Sequence, residues 1–147
     1  MRKERSPAIL PARKVIGGYA EGDALVTARP LTFRGGIDPA TAMVIDAQHE
    51  LRGQTVKGKV LVFPRGAGSS SGCGVLMEML RLGNNPVALI NIETETVLAL
   101  GPIIAQELYG RSLPVVTVQP VYFKKLKTGD RVSVDADASR VLVQRHS

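Results

Sequence analysis

The sequence predicts a compact α/β domain in which helices cover part of a mixed sheet. An apolar run over residues 59–63 passes through a glycine-rich loop into a segment of helical periodicity, and further short β-like runs lie on both sides of this unit. With 147 residues, a hydrophobic fraction of 44%, 15 Gly and 9 Pro, the chain has the size of one domain built from many short elements.

The first half of the chain is expected to form strands. Residues 24–27 and 43–45 are short β-like runs bounded by Gly, Pro and Asp. Between them, residues 33–39 must form a tight loop, because the Gly-Gly pair permits positive φ and Asp-Pro starts a turn. Residues 59–63 are almost continuously apolar, which is typical of a strand buried on both faces.

A helix is predicted after this central strand and the loop that follows it. The hydrophobic period changes from two to about 3.6, and Gly83 with Asn84 ends the pattern. One face of the predicted helix carries Val75, Leu76, Met79 and Leu80.

The remaining elements alternate between strand and helix. Strands are predicted at residues 88–91 and 115–118. A second helix is predicted to start at Pro102, which suits a first turn, and to end near Tyr109 before Gly110. A short helix at residues 121–126 and a hairpin formed by residues 131–134 and 140–143 complete the domain.

Charge and composition limit the functions that the chain can have. The net charge is +6, concentrated in the first residues and in Lys124, Lys125 and Lys127, but no aromatic side chains interleave these cations, so nucleic acid is not the expected partner. No apolar run approaches the ~20 residues that a membrane span needs. We expect a cytoplasmic protein with a basic arm at residues 1–14, flexible or docked on a partner, and a single domain at residues 15–147.

The loop between the central strand and the first helix is the candidate site. It reads Gly66-Ala67-Gly68-Ser69-Ser70-Ser71-Gly72, so glycines allow a close approach of backbone and ligand, and serines supply hydroxyl groups. The helix start adds free N–H groups and the positive end of the helix dipole. The loop therefore predicts a pocket for a carboxylate, phosphate or oxyanion, although an ordinary N-cap explains the same residues.

Other reactive side chains are less promising. Cys73 lies in the first turn of the helix without a nearby base, and we expect it to pack as a small residue beneath the loop. His49 and His146 are expected at the surface, and Glu93 and Glu95 are expected to be solvated carboxylates. One Cys and two distant His cannot form a metal site in this chain alone.

Several stretches of the sequence resemble the small subunit of aconitase X, in the same order from about residue 15 to residue 134. They are residues 18–26, 33–39, 58–70, 88–91, 98–101 and 127–132. The resemblance implies the swivelling β/β/α domain of aconitases, paired as a heterodimer with a large subunit that carries iron or an iron–sulfur cluster. It also implies a hydro-lyase that dehydrates either mevalonate 5-phosphate or cis-3-hydroxy-L-proline.

The resemblance assigns roles to the residues of the loop. Aconitases carry their serine base in a Gly-x-Gly-Ser-Ser loop, and the first of those serines corresponds to Ser69. Gly68, Ser70 and Ser71 would then line the anion pocket, and Arg65 would contact substrate charge. Ser71 stands where aconitases have an arginine, so backbone N–H groups or arginines elsewhere must bind the substrate carboxylate. The alternative function is a non-catalytic anion-binding or interaction module.

Overall fold

The computed structural model describes residues 8–66, 72–94 and 96–144, which form ten strands and three helices. The strands are β1 Ala8–Pro11, β2 Arg13–Ile16, β3 Tyr19–Val26, β4 Ile37–Asp38, β5 Met43–Val44, β6 Val60–Val62, β7 Ala88–Asn91, β8 Val115–Thr117, β9 Arg131–Asp135 and β10 Arg140–Gln144. The helices are α1 Gly72–Leu82, α2 Thr96–Tyr109 and α3 Pro120–Phe123.

Eight of these strands form one mixed sheet, in the order β1-β10-β9-β3-β6-β7-β8-β2. The central strands β3, β6, β7 and β8 are parallel, and the strands on either side pair with them antiparallel. Strands β4 and β5 form a separate small pair. The predicted α/β class with a mixed sheet is therefore confirmed.

The sheet curls back on itself. Strand β1 forms one edge and β2 the other, yet only Ala12 separates these two strands in the chain. The Ala12 N–H donates a hydrogen bond to the Ser139 carbonyl oxygen (3.0 Å), beside the hairpin that pairs with β1. Residues from Ala8 onward thus belong to the folded domain, whereas the sequence analysis predicts an arm over residues 1–14. Residues 1–7 lie outside the described residues.

Two apolar clusters hold the layers together, because side chains alternate between the faces of each strand. Val62, Ile90 and Val116 point into the curl of the sheet, where they meet Val134 and Val141 of the β9–β10 hairpin. On the opposite face, Leu61, Leu89 and Val115 pack against the helices and the segment between β3 and β6. This β/β/α layering brings all four parallel strands to a common carboxyl edge.

Helix α1 matches its prediction. Leu76, Met79 and Leu80 are buried and Val75 is partly buried, so the expected apolar face lies on the core. Gly83 has a φ of 75°, the left-handed conformation that ends a helix at low cost.

The predicted start of α2 was wrong. The helix begins at Thr96 rather than at Pro102, so the proline lies inside it. An internal proline removes one backbone hydrogen bond. Burial of Leu98 and Ala99 in the first turns offsets that loss, because most helix stability in proteins comes from packing. None of the described helices is long and apolar enough to cross a membrane.

Candidate functional site

The serine-rich loop connects two firmly held segments. Strand β6 is wholly buried and ends at Val62, and the Leu31 N–H donates a hydrogen bond to the carbonyl oxygen of Arg65 (3.1 Å). On the other side, helix α1 begins at Gly72, next to Phe33. The predicted site residues Gly68, Ser69, Ser70 and Ser71 lie outside the described residues, so their roles stay predictions.

The first turn of α1 is suited to an anion. It contains no acidic side chain that would cancel the positive end of the helix dipole. Among the described residues, a Cβ at Gly74 would meet no atom outside its own helix within 4 Å. Cys73 is a free, partly exposed thiol.

Arg65, the remaining predicted site residue, has an exposed side chain at the carboxyl edge of the parallel strands. Its backbone carbonyl accepts the hydrogen bond from the Leu31 N–H, which fixes the position of the residue. Glu93, at the end of the neighbouring strand β7, is exposed as expected, and its N–H donates to the Pro64 carbonyl oxygen (3.1 Å). Glu95 is outside the described residues.

Asn91 was missed as a site residue by the sequence analysis. Its side chain is fully buried, its Nδ2 donates a hydrogen bond to the Phe63 carbonyl oxygen (2.9 Å), and its Oδ1 accepts one from Thr94 Oγ1 (2.9 Å). These bonds tie the end of β6 to the segment after β7. The available signal was a single polar residue at the end of an otherwise apolar strand.

The expectation that His49 is a surface residue was wrong. Only 7% of His49 is exposed, and both ring nitrogens are used. Nδ1 accepts a hydrogen bond from the Leu51 N–H (3.1 Å), so the ring proton must be on Nε2, which donates to the Pro30 carbonyl oxygen (3.1 Å). His49 thereby holds the segment before Leu31 in place, and it is not available as a base.

Thr27, at the end of β3, connects to the same segment. It is 1% exposed, and its Oγ1 donates to Glu50 Oε2 (2.6 Å) while accepting from the Arg29 N–H (3.1 Å). Together with the bridge between Leu31 and Gly66, this contact braces the approach to the loop.

Two cavities open at the carboxyl edge, beside the ends of β7 and β8. One has a volume of about 410 Å³ and is bounded by the residues around Ala12, the end of β8 and Tyr122 of α3. The other, of about 390 Å³, is lined by Lys14, Glu93 and Thr94. Arg13, Ile92 and Thr117 belong to both linings, so these residues form the wall between the two cavities.

The resolved pKa shifts belong to surface ion pairs. The side-chain hydrogen bond from Arg81 lowers the pKa of Glu78 on the outer face of α1. The Asp23 hydrogen bond, with a smaller contribution from Glu21, raises the pKa of Arg131. These pairs lie outside the cavity linings and supply no candidate base.

The described residues contain no group of three or more His, Cys, Asp or Glu side chains placed to hold a metal ion. The chain as a whole has one Cys and two His, so it lacks the soft ligand set of an iron–sulfur centre. Iron chemistry does not fit the residues of this chain alone.

Comparison with known proteins gives consistent matches. Residues 9–143 match the family described as the aconitase X swivel domain. The phosphomevalonate dehydratase small subunit of Thermococcus gammatolerans is 46% identical, over 91% of this chain and 96% of that protein. The cis-3-hydroxy-L-proline dehydratase of Hypocrea jecorina is 41% identical over 82% of this chain, but the match covers only 20% of that longer protein.

A solved structure matches over the whole fold as well. The crystal structure of Thermococcus kodakaraensis aconitase X, in its holo-form, superposes with a TM-score of 0.84 at 43% identity, covering 94% of this chain and 99% of that one. The curled sheet with α1 and α2 on one face is thus shared with that protein.

Proposed function

This chain belongs to the aconitase X swivel-domain family, and from that membership we propose that it is the small subunit of a hydro-lyase that dehydrates a small hydroxy acid. The observation that carries the proposal is the family match over residues 9–143, which includes the serine loop together with the strand and helix that bracket it. Relatives named as small subunits support a larger partner, and we propose a heterodimer with a large subunit of the same enzyme.

We assign to Ser69 the removal of the proton from the carbon next to the substrate carboxylate. A serine must lose its own proton to act as a base, so the alkoxide needs preorganised positive charge around it. The start of α1 at Gly72, without an acidic residue in its first turn, supports this assignment. Gly68, Ser70 and Ser71 would bind the carboxylate, and the exposed Arg65 would add positive charge nearby.

Departure of the hydroxyl group is assigned to the large subunit, which would hold the iron or iron–sulfur centre. With its single Cys, this chain contributes the base and the anion pocket rather than metal ligands. The division of labour also fits the Hypocrea jecorina relative, in which the segment that matches this chain is 20% of one longer polypeptide.

Two substrates remain candidates. The Thermococcus gammatolerans relative, at 46% identity, supports a phosphorylated hydroxy acid such as mevalonate 5-phosphate. The Hypocrea jecorina relative, at 41% identity, supports cis-3-hydroxy-L-proline. Both are β-hydroxy acids, in which the hydroxyl is on the carbon next to the one that loses its proton, so the same loop chemistry serves either.

The test is turnover of the reconstituted complex with Ser69→Ala. Co-expressed with its large subunit, the variant should assemble normally but lose activity by about 10³-fold or more, because the base is absent. Ser112→Ala is the matched control, since Ser112 is exposed and precedes β8 at the opposite edge of the sheet. Near-normal turnover of Ser69→Ala would reject the assignment; a wild-type complex that binds anions but dehydrates neither acid would favour a binding module.

A further inference from the structure

We propose that Arg13 is a second anion-binding residue of this site, and that it contacts a carboxylate or phosphate of the substrate remote from the reacting carbon. This inference rests on the proposed function and names a residue that the serine loop does not include. Its basis is the position of Arg13 in the wall between the two cavities at the carboxyl edge.

The fold fixes Arg13 at that edge. Strand β2 runs antiparallel to β8, so its first residue, Arg13, pairs with Thr117, the last residue of β8. Ala12, the residue before β2, donates a hydrogen bond to the Ser139 carbonyl oxygen. This bond holds the start of β2 next to the β9–β10 hairpin, in addition to the pairing of β2 with β8. The backbone that carries the guanidinium is therefore part of the sheet rather than of a loop.

The guanidinium of Arg13 is free to bind a ligand. Within the described residues it makes no ion pair and no side-chain hydrogen bond, whereas Lys14 Nζ lies 3.8 Å from Asp137 Oδ1. The hydroxyl of Thr117 lines the same cavity and provides a further donor, whereas the Thr94 hydroxyl proton is already donated to Asn91 Oδ1. A planar guanidinium beside the Thr117 hydroxyl matches the geometry of a carboxylate or phosphate.

The spacing suits a ligand that extends from Arg13 to the end of β6, the strand that precedes the serine loop in the chain. Strands β6 and β8 are separated only by β7, and neighbouring strands lie about 4.8 Å apart, so the ends of β6 and β8 are separated by about 10 Å. A hydroxy acid with two anionic groups, together with the length of an arginine side chain, spans that interval.

Glu93 allows a second test of the proposal, because removing its charge should change the affinity in the opposite direction. Its carboxylate lines the same cavity as Arg13, without forming an ion pair with it, and repels an incoming anion. Removing the Arg13 charge should weaken binding, whereas removing the Glu93 charge should strengthen it. A ligand that presented a cationic group to this cavity would give the opposite result for Glu93.

The experiment measures binding to the two-subunit complex by calorimetry, in a Ser69→Ala background that prevents turnover. The probes are inorganic phosphate, mevalonate 5-phosphate and cis-3-hydroxy-L-proline. We expect Arg13→Gln to raise Kd about 10-fold or more for the probe that uses the site, Arg13→Lys to restore part of the affinity, and Glu93→Gln to lower Kd about twofold to fivefold. Arg52→Gln, an exposed arginine that lines neither cavity, should leave every Kd unchanged.

The outcomes separate this inference from the proposed function. A Kd for Arg13→Gln within twofold of the parent for all three probes would overturn the inference, as would weaker binding by Glu93→Gln. An effect on phosphate and the phosphorylated acid identifies a phosphate subsite remote from the reacting carbon. The single carboxylate of the proline acid is attached to the reacting carbon, so an effect confined to that probe would overturn the inference. A wild-type complex that dehydrates neither acid contradicts the proposed function, whether or not Arg13 affects binding.

Discussion

Gly101 of α2 lies directly against the backbone of Cys73 in α1: a Cβ at Gly101 would stand 2.8 Å from the Cys73 carbonyl oxygen. Real Cβ atoms do not approach other atoms this closely, and a backbone carbonyl cannot move aside alone. The two helices can therefore pack at their observed separation only because residue 101 has no side chain. Since Cys73 is in the first turn of α1, this contact also fixes the helix end that follows the serine loop.

Gly101→Ala should destabilise the chain by about 1–3 kcal/mol, because the added methyl group forces α2 away from α1. Chemical unfolding of the isolated chain measures the effect. Gly74→Ala is the matched control: Gly74 is also helical, but a Cβ there meets no atom of the described residues outside its own helix within 4 Å, so the substitution should stabilise by up to about 1 kcal/mol. Equal free energies of unfolding for the two variants would show that the α1–α2 contact is not tight.

Asn91→Leu should lower the free energy of unfolding by about 1–3 kcal/mol, because the Phe63 carbonyl oxygen would lose its buried side-chain donor. Thr94→Val removes only the bond to Asn91 Oδ1 and should cost less, since Thr94 is partly exposed. A double-mutant cycle measures whether the two residues act together. Additive effects would contradict a connected network at the end of β7.

Local patterns predicted the centre of the fold well. Strand β6 and helix α1 were found because one is a continuous apolar run and the other has a clear helical period. The resemblance to the aconitase X swivel domain is likewise confirmed by the match over residues 9–143. These features depend on neighbours in the sequence or on a long ordered set of motifs.

Features that depend on distant partners were missed. Strands β1 and β2 pair with β10 and β8, which lie near the other end of the sequence, so the charged and proline-interrupted start of the chain gave no strand signal. The first turns of α2 were missed because burial of Leu98 overrides the usual effect of Pro102. Asn91 and Arg13 entered the site only when the carboxyl edge brought neighbouring strands together.

His49→Ala should destabilise the chain by about 1–3 kcal/mol, because the buried Leu51 N–H and the partly buried Pro30 carbonyl would lose their partners at once. Gln48→Ala, at the exposed neighbouring position, controls for changes in the turn itself and should have little effect. Thermal unfolding followed by circular dichroism measures both variants.

A second readout for His49→Ala distinguishes bracing of the site from general stability. The imidazole holds the segment that leads into Leu31, and Leu31 is bonded to Arg65 just before the serine loop. Amide hydrogen exchange at Leu31 should therefore speed up in His49→Ala by more than exchange in β9 or β10, which lie in the other layer of the domain. Uniform acceleration across both layers would mean that His49 contributes only to global stability, whereas unchanged exchange at Leu31 would show that the Pro30 contact does not brace this segment.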